Sequence, residues 1–313
     1  MKRSLLLTAI VALVIVAGAV LRSTRSAGRS GETAAGRRRP AIAASADLWK
    51  SPAPERSPSA DDAETNPPLA ARVGDLGADL RDLPQTVVDG LRHPSYRPRR
   101  GEVPLLSAAA ERELLSRYRA IDSITHKYHL ALALSYGGGD QSARALANTL
   151  TNEYGRCQIT TQEEDLLLLL PIVLGETARR SDDALRFLGS SANPGFWQQY
   201  CGWHSPVGRD TTIRRLTEST LKGLGLSGRA EALAVLISIR SRGPKEWPEP
   251  FRAGVVDAAF LYDMVSQHGE SYLSGQLTPN AEAVMRLFRD WRSSPSAQPW
   301  VDWAHAPDEG PAQ

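Results

Sequence analysis

Few aromatic side chains, almost no net charge and no sustained two-residue alternation set the first bounds on this 313-residue chain. Aromatics make up only 6% of it, which argues against a β-sandwich or barrel core, because strands favour those side chains. Lys and Arg number 37 against 35 Asp and Glu, and a formal charge of +2 offers no broad basic surface for nucleic acid. No stretch alternates apolar and polar residues as a half-buried strand does, so no sheet is expected. No cysteine stands directly after the apolar run at the N-terminus, which excludes a bacterial lipoprotein. No Walker loop, zinc-protease motif or other catalytic signature is present either.

What is present begins at that N-terminus. Met1-Lys2-Arg3 precedes an uncharged apolar run over residues 4–21, closed by Arg22. Such a run spans roughly 27 Å as a helix, close to the hydrocarbon thickness of a bilayer. The expectation is a single membrane-targeting helix, favoured as an uncleaved anchor. Ala17-Gly18-Ala19 also fits a small-x-small cleavage site, so a signal peptide cut near Ala19 is the alternative. Orientation is pulled both ways. Lys2 and Arg3 form the short leading flank of ordinary export signals, whereas Arg22, Arg25, Arg29, Arg37, Arg38 and Arg39 follow the run. The reading adopted places the following domain outside the cytoplasm. There, Cys157 and Cys201 could close one disulfide loop of about 45 residues, worth roughly 3 to 4 kcal/mol. Two buried thiols in a reduced compartment are the equal alternative.

Residues 22–104 read as a disordered linker, because ten of the 21 prolines lie between Pro40 and Pro104. Within it, Leu69, Val73, Leu76, Leu80, Leu83 and Val87 recur at spacings of four and three, which predicts a short helix over 69–91. The folded domain is expected over 105–292, starting with Ser107 as a helix cap, and 293–313 as a flexible Trp-containing tail. Breaks between its helices are marked by Gly137-Gly138-Gly139, Ser181-Asp182, Asn193-Pro194-Gly195, Ser227-Gly228 and Gly243-Pro244.

Three segments, 130–150, 169–190 and 216–239, align with one another. Each has an apolar helix ending near a glycine, a small or polar turn, and a helix carrying Ala145-Leu146, Ala184-Leu185 or Ala232-Leu233. One such pair cannot bury its apolar face alone, so pairs must stack. The pattern resembles HEAT-type α-helical repeats over about residues 125–240, with 251–275 as a candidate fourth pair. It departs from that family in uneven spacing and in lacking the usual Asp-Pro at the turns. The resemblance implies an all-α, short α-solenoid of stacked helix pairs used for binding, with no inherited catalytic residue. An irregular helical bundle is the alternative.

Candidate chemistry is sparse. His126 and His129 share a helix face, but no Glu or third ligand accompanies them as a zinc site requires. The triple glycine is followed by Asp140-Gln141 where a phosphate loop needs Lys and Ser or Thr, so it reads as an inter-helix turn. Gly138-Gly139-Asp140 and Glu231-Ala232-Leu233 match fragments of cyclic-dinucleotide enzymes, whose sites are built on sheets; in helical sequence they are chance. Glu163-Glu164-Asp165 suits the first turn of the next helix. The densest unusual segment holds Phe196, Trp197, Tyr200, Trp203 and His204 within nine residues, as a candidate binding loop or a plug over a helix pair. The resulting expectation is a membrane-anchored, non-enzymatic helical-repeat module that binds a protein or another cell-envelope component, with no cofactor and no nucleic acid. An envelope enzyme acting on peptide or glycan through dispersed residues is the alternative.

Overall fold

The computed structural model describes residues 80–307, apart from 81–82, 92, 94–95, 154–158, 201–206, 244–245 and 248. Among them are thirteen α-helices and no strand, so the chain is all-α there. The apolar run at 4–21 and the cysteines at 157 and 201 lie outside the described residues. No helix within them is long and apolar enough to cross a membrane.

Five of the helices begin where a short polar side chain at the N-cap satisfies an unpaired N–H group of the first turn. Helix α1 is Gln85–Leu91. Helix α2 (Ala108–Ala120) follows Ser107, whose hydroxyl accepts from Ala110 N. Ser123 caps α3 (Ile124–Gly137) in the same way. Helix α4 (Asp140–Asn148) runs into a single π-helical turn, Thr149–Glu153. Helix α5 (Thr161–Ala178) opens with a capping box: Thr160 accepts from Glu163 N while the Glu163 carboxylate accepts from Thr160 N. That box explains Glu163 without catalysis. Ser181 caps α6 (Asp182–Ser191), and α7 (Pro194–Tyr200) follows the Asn193 turn. Helix α8 (Arg209–Ser227) ends at Gly228, whose φ of 62° is the left-handed conformation glycine adopts without strain. Helices α9 (Ala230–Ser241), α10 (Glu249–His268) and the short α11 (Glu270–Leu273) lead to α12 (Ala281–Arg292) and α13 (Gln298–His305).

The order of packing is regular. Helix α5 lies between α3 and α8, and α8 between α5 and α10. A second row flanks the first: α6 touches α4 on one side and α9 on the other. Each second-row helix also packs on its own predecessor, α4 on α3, α6 on α5 and α9 on α8. The first-row crossings are close because they run through glycine. A Cβ at Gly175 would collide with the carbonyl oxygen of Gly223, one at Gly223 with that of Pro171, and one at Gly225 with that of Ala258. The second-row helices share a burial pattern counted from their first residues. Ser142, Ala184 and Ala232 are fully buried at the third position, and Leu146, Leu188 and Leu236 at the seventh. Leu146 therefore corresponds to Leu188 and Leu236, three residues from the Ala-Leu pairing suggested by the sequence.

Both ends of the domain differ from expectation. Part of the presumed linker belongs to the fold, since α1 packs on α3 with Val87, Val88 and Leu91 buried, and Leu80 and Leu83 before it are buried too. The apolar stripe overcomes Pro84 because the proline precedes α1, where no helical N–H is lost. At the other end, the expected flexible tail is helical through His305. Helix α13 packs on α10 with Trp300 and Trp303 buried, and the Arg240 guanidinium sits 4.4 Å from the Trp300 ring centre.

Candidate functional site

The aromatic segment singled out in the sequence divides. Trp197 is 0% exposed, with its ring edge-on to Phe187 of α6 and to Phe196, the centroids 6.4 and 5.1 Å away. As an interior group it cannot form a recognition surface. Phe196 is half-buried and also meets Phe187 edge-on. Tyr200 ends α7, while Trp203, His204, Cys157 and Cys201 lie outside the described residues. The plug reading fits Phe196 and Trp197: α7 packs on α6 and α8 and fills the space between them.

His126 and His129 do fall on α3, but they meet different partners. The His126 ring, through Nε2, hydrogen-bonds the Leu91 carbonyl oxygen and ties α3 to the end of α1. His129 is buried and its Nδ1 has no hydrogen-bond partner. Burial first, then the positive charge of Arg97 and the neighbouring His126, lower its pKa to about 4. It is neutral at physiological pH. Among the described residues no cluster of three or more His, Cys, Asp or Glu could hold a metal ion. The triple glycine is a turn, as expected, and the charge it holds comes from the protein. The Glu111 carboxylate of α2 accepts from Gly139 N at 2.8 Å and from Ser142 N and Oγ at 3.0 and 2.6 Å. Glu111 thus occupies the N-terminus of α4, where a phosphate would otherwise be favoured.

The most elaborate polar arrangement lies on the first-row helices and was invisible as a motif. A non-helical strap, residues 96–106, runs beside α3 in the same direction as the helix. Near its start the Arg97 guanidinium lies 5.3 Å from the Tyr128 ring centre. At its end Leu106 N donates to Gly137 O at 2.9 Å, and a Cβ on Gly137 would strike the Pro104 carbonyl. Between these anchors the chain turns at Arg99–Glu102, closed by Glu102 N to Arg99 O at 3.1 Å. Gly101, third in that turn, has a φ of 88°, the place where a type II turn requires glycine.

The turn delivers Arg100 into a carboxylate pair. Its Nε and Nη2 donate to Glu270 Oε2 and Oε1 at 2.7 and 2.8 Å, a two-pronged grip, while Nη1 bonds Glu176. The Arg100 and Glu176 side chains are 16% and 12% exposed, whereas Glu270 is 67% exposed. Arg179 adds a bond to Glu270 at 3.0 Å. Arg180 turns away and donates to the Ser135 and Gly138 carbonyls at 2.7 and 3.2 Å. The hydrogen bonds from Arg100 hold the Glu270 carboxyl near a pKa of about 2, with burial opposing and Arg179 assisting. Burial would lower the Arg100 pKa, but its bonds to Glu270 and the charge of Glu176 outweigh that and raise it. Burial also raises Tyr136, the neighbouring phenol on α3, and Glu176 pushes it further. Chemically this is a guanidinium receptor: two carboxylates converge on one arginine, and the surrounding phenols and imidazole are neutral. Its members lie 76 to 170 positions apart, so no local spacing reveals it. The sole sequence signal is the basic run Arg97-Pro98-Arg99-Arg100 inside what reads as linker.

No protein-family model, curated protein or solved structure matches this chain.

Proposed function

We propose that the domain is a HEAT-like stack of helix pairs, a non-enzymatic module that binds another protein or a cell-envelope component, tethered to the membrane through residues 4–21. One observation carries the reading: a non-helical segment of the chain itself already lies along the first-row helices, gripped by side chains from α5 and α11. A face that holds a peptide-like strap in this way has the groups needed to hold one from a partner. The two parallel rows and the shared burial of Leu146, Leu188 and Leu236 support the repeat architecture. Half-buried Leu168 and Ile172 continue the line of Glu176 along α5, giving that face an apolar stretch beside its charged end.

A photo-crosslinking residue at Ile172 in the full-length chain, in membranes, tests the proposal. A discrete crosslinked species is expected from Ile172 and not from Ile237, an exposed position on second-row helix α9. Equal labelling at both positions, or none at either, would refute recognition by the first-row face. Release of the full-length chain from the membrane fraction by high salt alone would refute the tether.

A further inference from the structure

We propose that the 96–106 strap is a built-in stand-in for an arginine-bearing turn of a partner protein, so that the receptor formed by Glu176 and Glu270 is self-occupied at rest. The inference deepens the binding function proposed above and rests on it.

Pro98 and Val103 of the strap are buried, and the Arg99–Glu102 turn between them has the attributes of a ligand held in place. Its two ends are anchored by contacts that do not involve Arg100: the His126–Leu91 hydrogen bond before it, and the packing of Pro104 and Leu106 on Gly137 after it. Between these points the Tyr96 ring packs on Gly90 of α1, and Arg97 and Arg100 are attached by their side chains alone. The Arg99–Glu102 turn can therefore lift while Pro98 and Val103 stay buried on either side. The turn that aims Arg100 is organised internally, because Glu102 accepts from Tyr96 Oη and Arg99 N, each at 3.1 Å. A self-contained turn presenting one guanidinium is a shape another protein can supply.

Charge identifies the occupant. Lifting Arg100 leaves the largely buried Glu176 with the nearby charge of Arg180 but without the guanidinium that hydrogen-bonds it, a costly state that a second guanidinium relieves. Lys would serve poorly, since the geometry at Glu270 uses two prongs of a planar fork. The outer carboxylate, Glu270, sits on the solvent side and is the natural first contact for an incoming arginine.

The test uses the full-length protein and a fluorescent synthetic peptide with the sequence of residues 93–106, followed by anisotropy. Wild type is expected to bind it weakly, and Arg100→Ala about tenfold more tightly, because the internal competitor is gone. Gly101→Val serves as a second opening variant. It strains the turn without meeting any neighbouring atom, so it is expected to raise affinity in the same direction even if Arg100→Ala folds poorly. A peptide carrying Ala at the position of Arg100 should lose binding, and so should Glu176→Gln placed in the Arg100→Ala background. Folded opening variants that bind no better than wild type would overturn the self-occupancy, as would peptide binding indifferent to that arginine. Dimers formed by Gly101→Val, which keeps its arginine, seen by light scattering, would mean that a second copy of this chain supplies the turn and would overturn a foreign partner. If these results fail while Ile172 still crosslinks specifically, the binding function stands and the strap's role alone falls.

Discussion

Glu270 and Trp197 show how much a single side chain's role depends on its surroundings. Glu270 is mostly exposed, yet Arg100 holds its pKa to about 2. A carboxylate with a depressed folded-state pKa contributes stability that is complete above its unfolded value of about 4.5 and lost as pH falls towards 2. A carbon-detected NMR titration should therefore place the Glu270 midpoint near 2 in wild type and return it towards 4.5 in Arg100→Ala. An unchanged midpoint would mean that the grip does not persist in solution. His129 works with the opposite charge and the same direction in pH. Its folded pKa of about 4 lies below the ordinary 6.5, so the unfolded chain takes up the proton first and stability falls as pH drops from 6.5 to 4. His129→Leu should flatten that part of the stability curve measured by urea unfolding. Trp197 is an interior group whose truncation leaves a large cavity, so Trp197→Ala should cost about 3 to 5 kcal/mol. A recognition residue would have lost a partner and kept its fold.

At the scale of helices, the glycines decide how the rows close. Gly175 and Gly223 sit where α5 and α8 touch backbone to backbone, so Gly175→Ala or Gly223→Ala must push helices apart and should cost about 1 to 3 kcal/mol. Gly189 in α6 is the control. A Cβ there meets only the Val235 side chain at an ordinary 3.6 Å, and Gly189→Ala should be neutral or stabilise by about 0.5 to 1 kcal/mol. Thermal melts of the three variants separate close packing from helix propensity, and equal shifts would remove the argument. The second-row helices are linked at their starts by polar groups. Glu111 serves α4, Asp140 accepts from Ser181 at the start of α6, and Asp182 pairs with Arg229 at the start of α9. The helix boundaries at Ser107, Ser181 and Gly228 were legible in the sequence because caps and glycines act locally, each stopping or starting a helix with its own atoms. The repeat register was not, because Leu185 and Leu188 are both buried, and only the complete burial that Leu188 shares with Leu146 and Leu236 sets it apart. The receptor for Arg100 was likewise hidden, since three distant segments have to fold before its carboxylates converge.

For the whole molecule, the ends of the fold were the least legible part, because composition describes a segment in isolation and burial depends on what the rest of the chain offers it. Residues 293–307 look like a tail by their Ser, Pro and Ala content, yet α13 finds a surface prepared by α9 and α10. Besides the stacking of Arg240 on Trp300, the buried Arg252 of α10 donates to the Ala306 carbonyl at 2.7 Å. Next to it, α12 is secured through Trp291, whose indole N–H donates to Asp263 at 2.7 Å, and through Phe288, edge-on to Phe260 at 5.1 Å. Deleting 293–313 should therefore expose the α10 surface and remove two buried indoles. At about 25 cal/mol per Å² and roughly 200 Å² per indole, the upper bound is near 10 kcal/mol. Relaxation and the entropy regained by the freed end reduce that, so a loss of at least about 3 kcal/mol is expected in urea unfolding. The truncated chain should also bind a hydrophobic dye more strongly. A tail that makes no contribution would leave both measurements unchanged, and the C-terminal boundary of the domain would then fall at Arg292, at the end of α12.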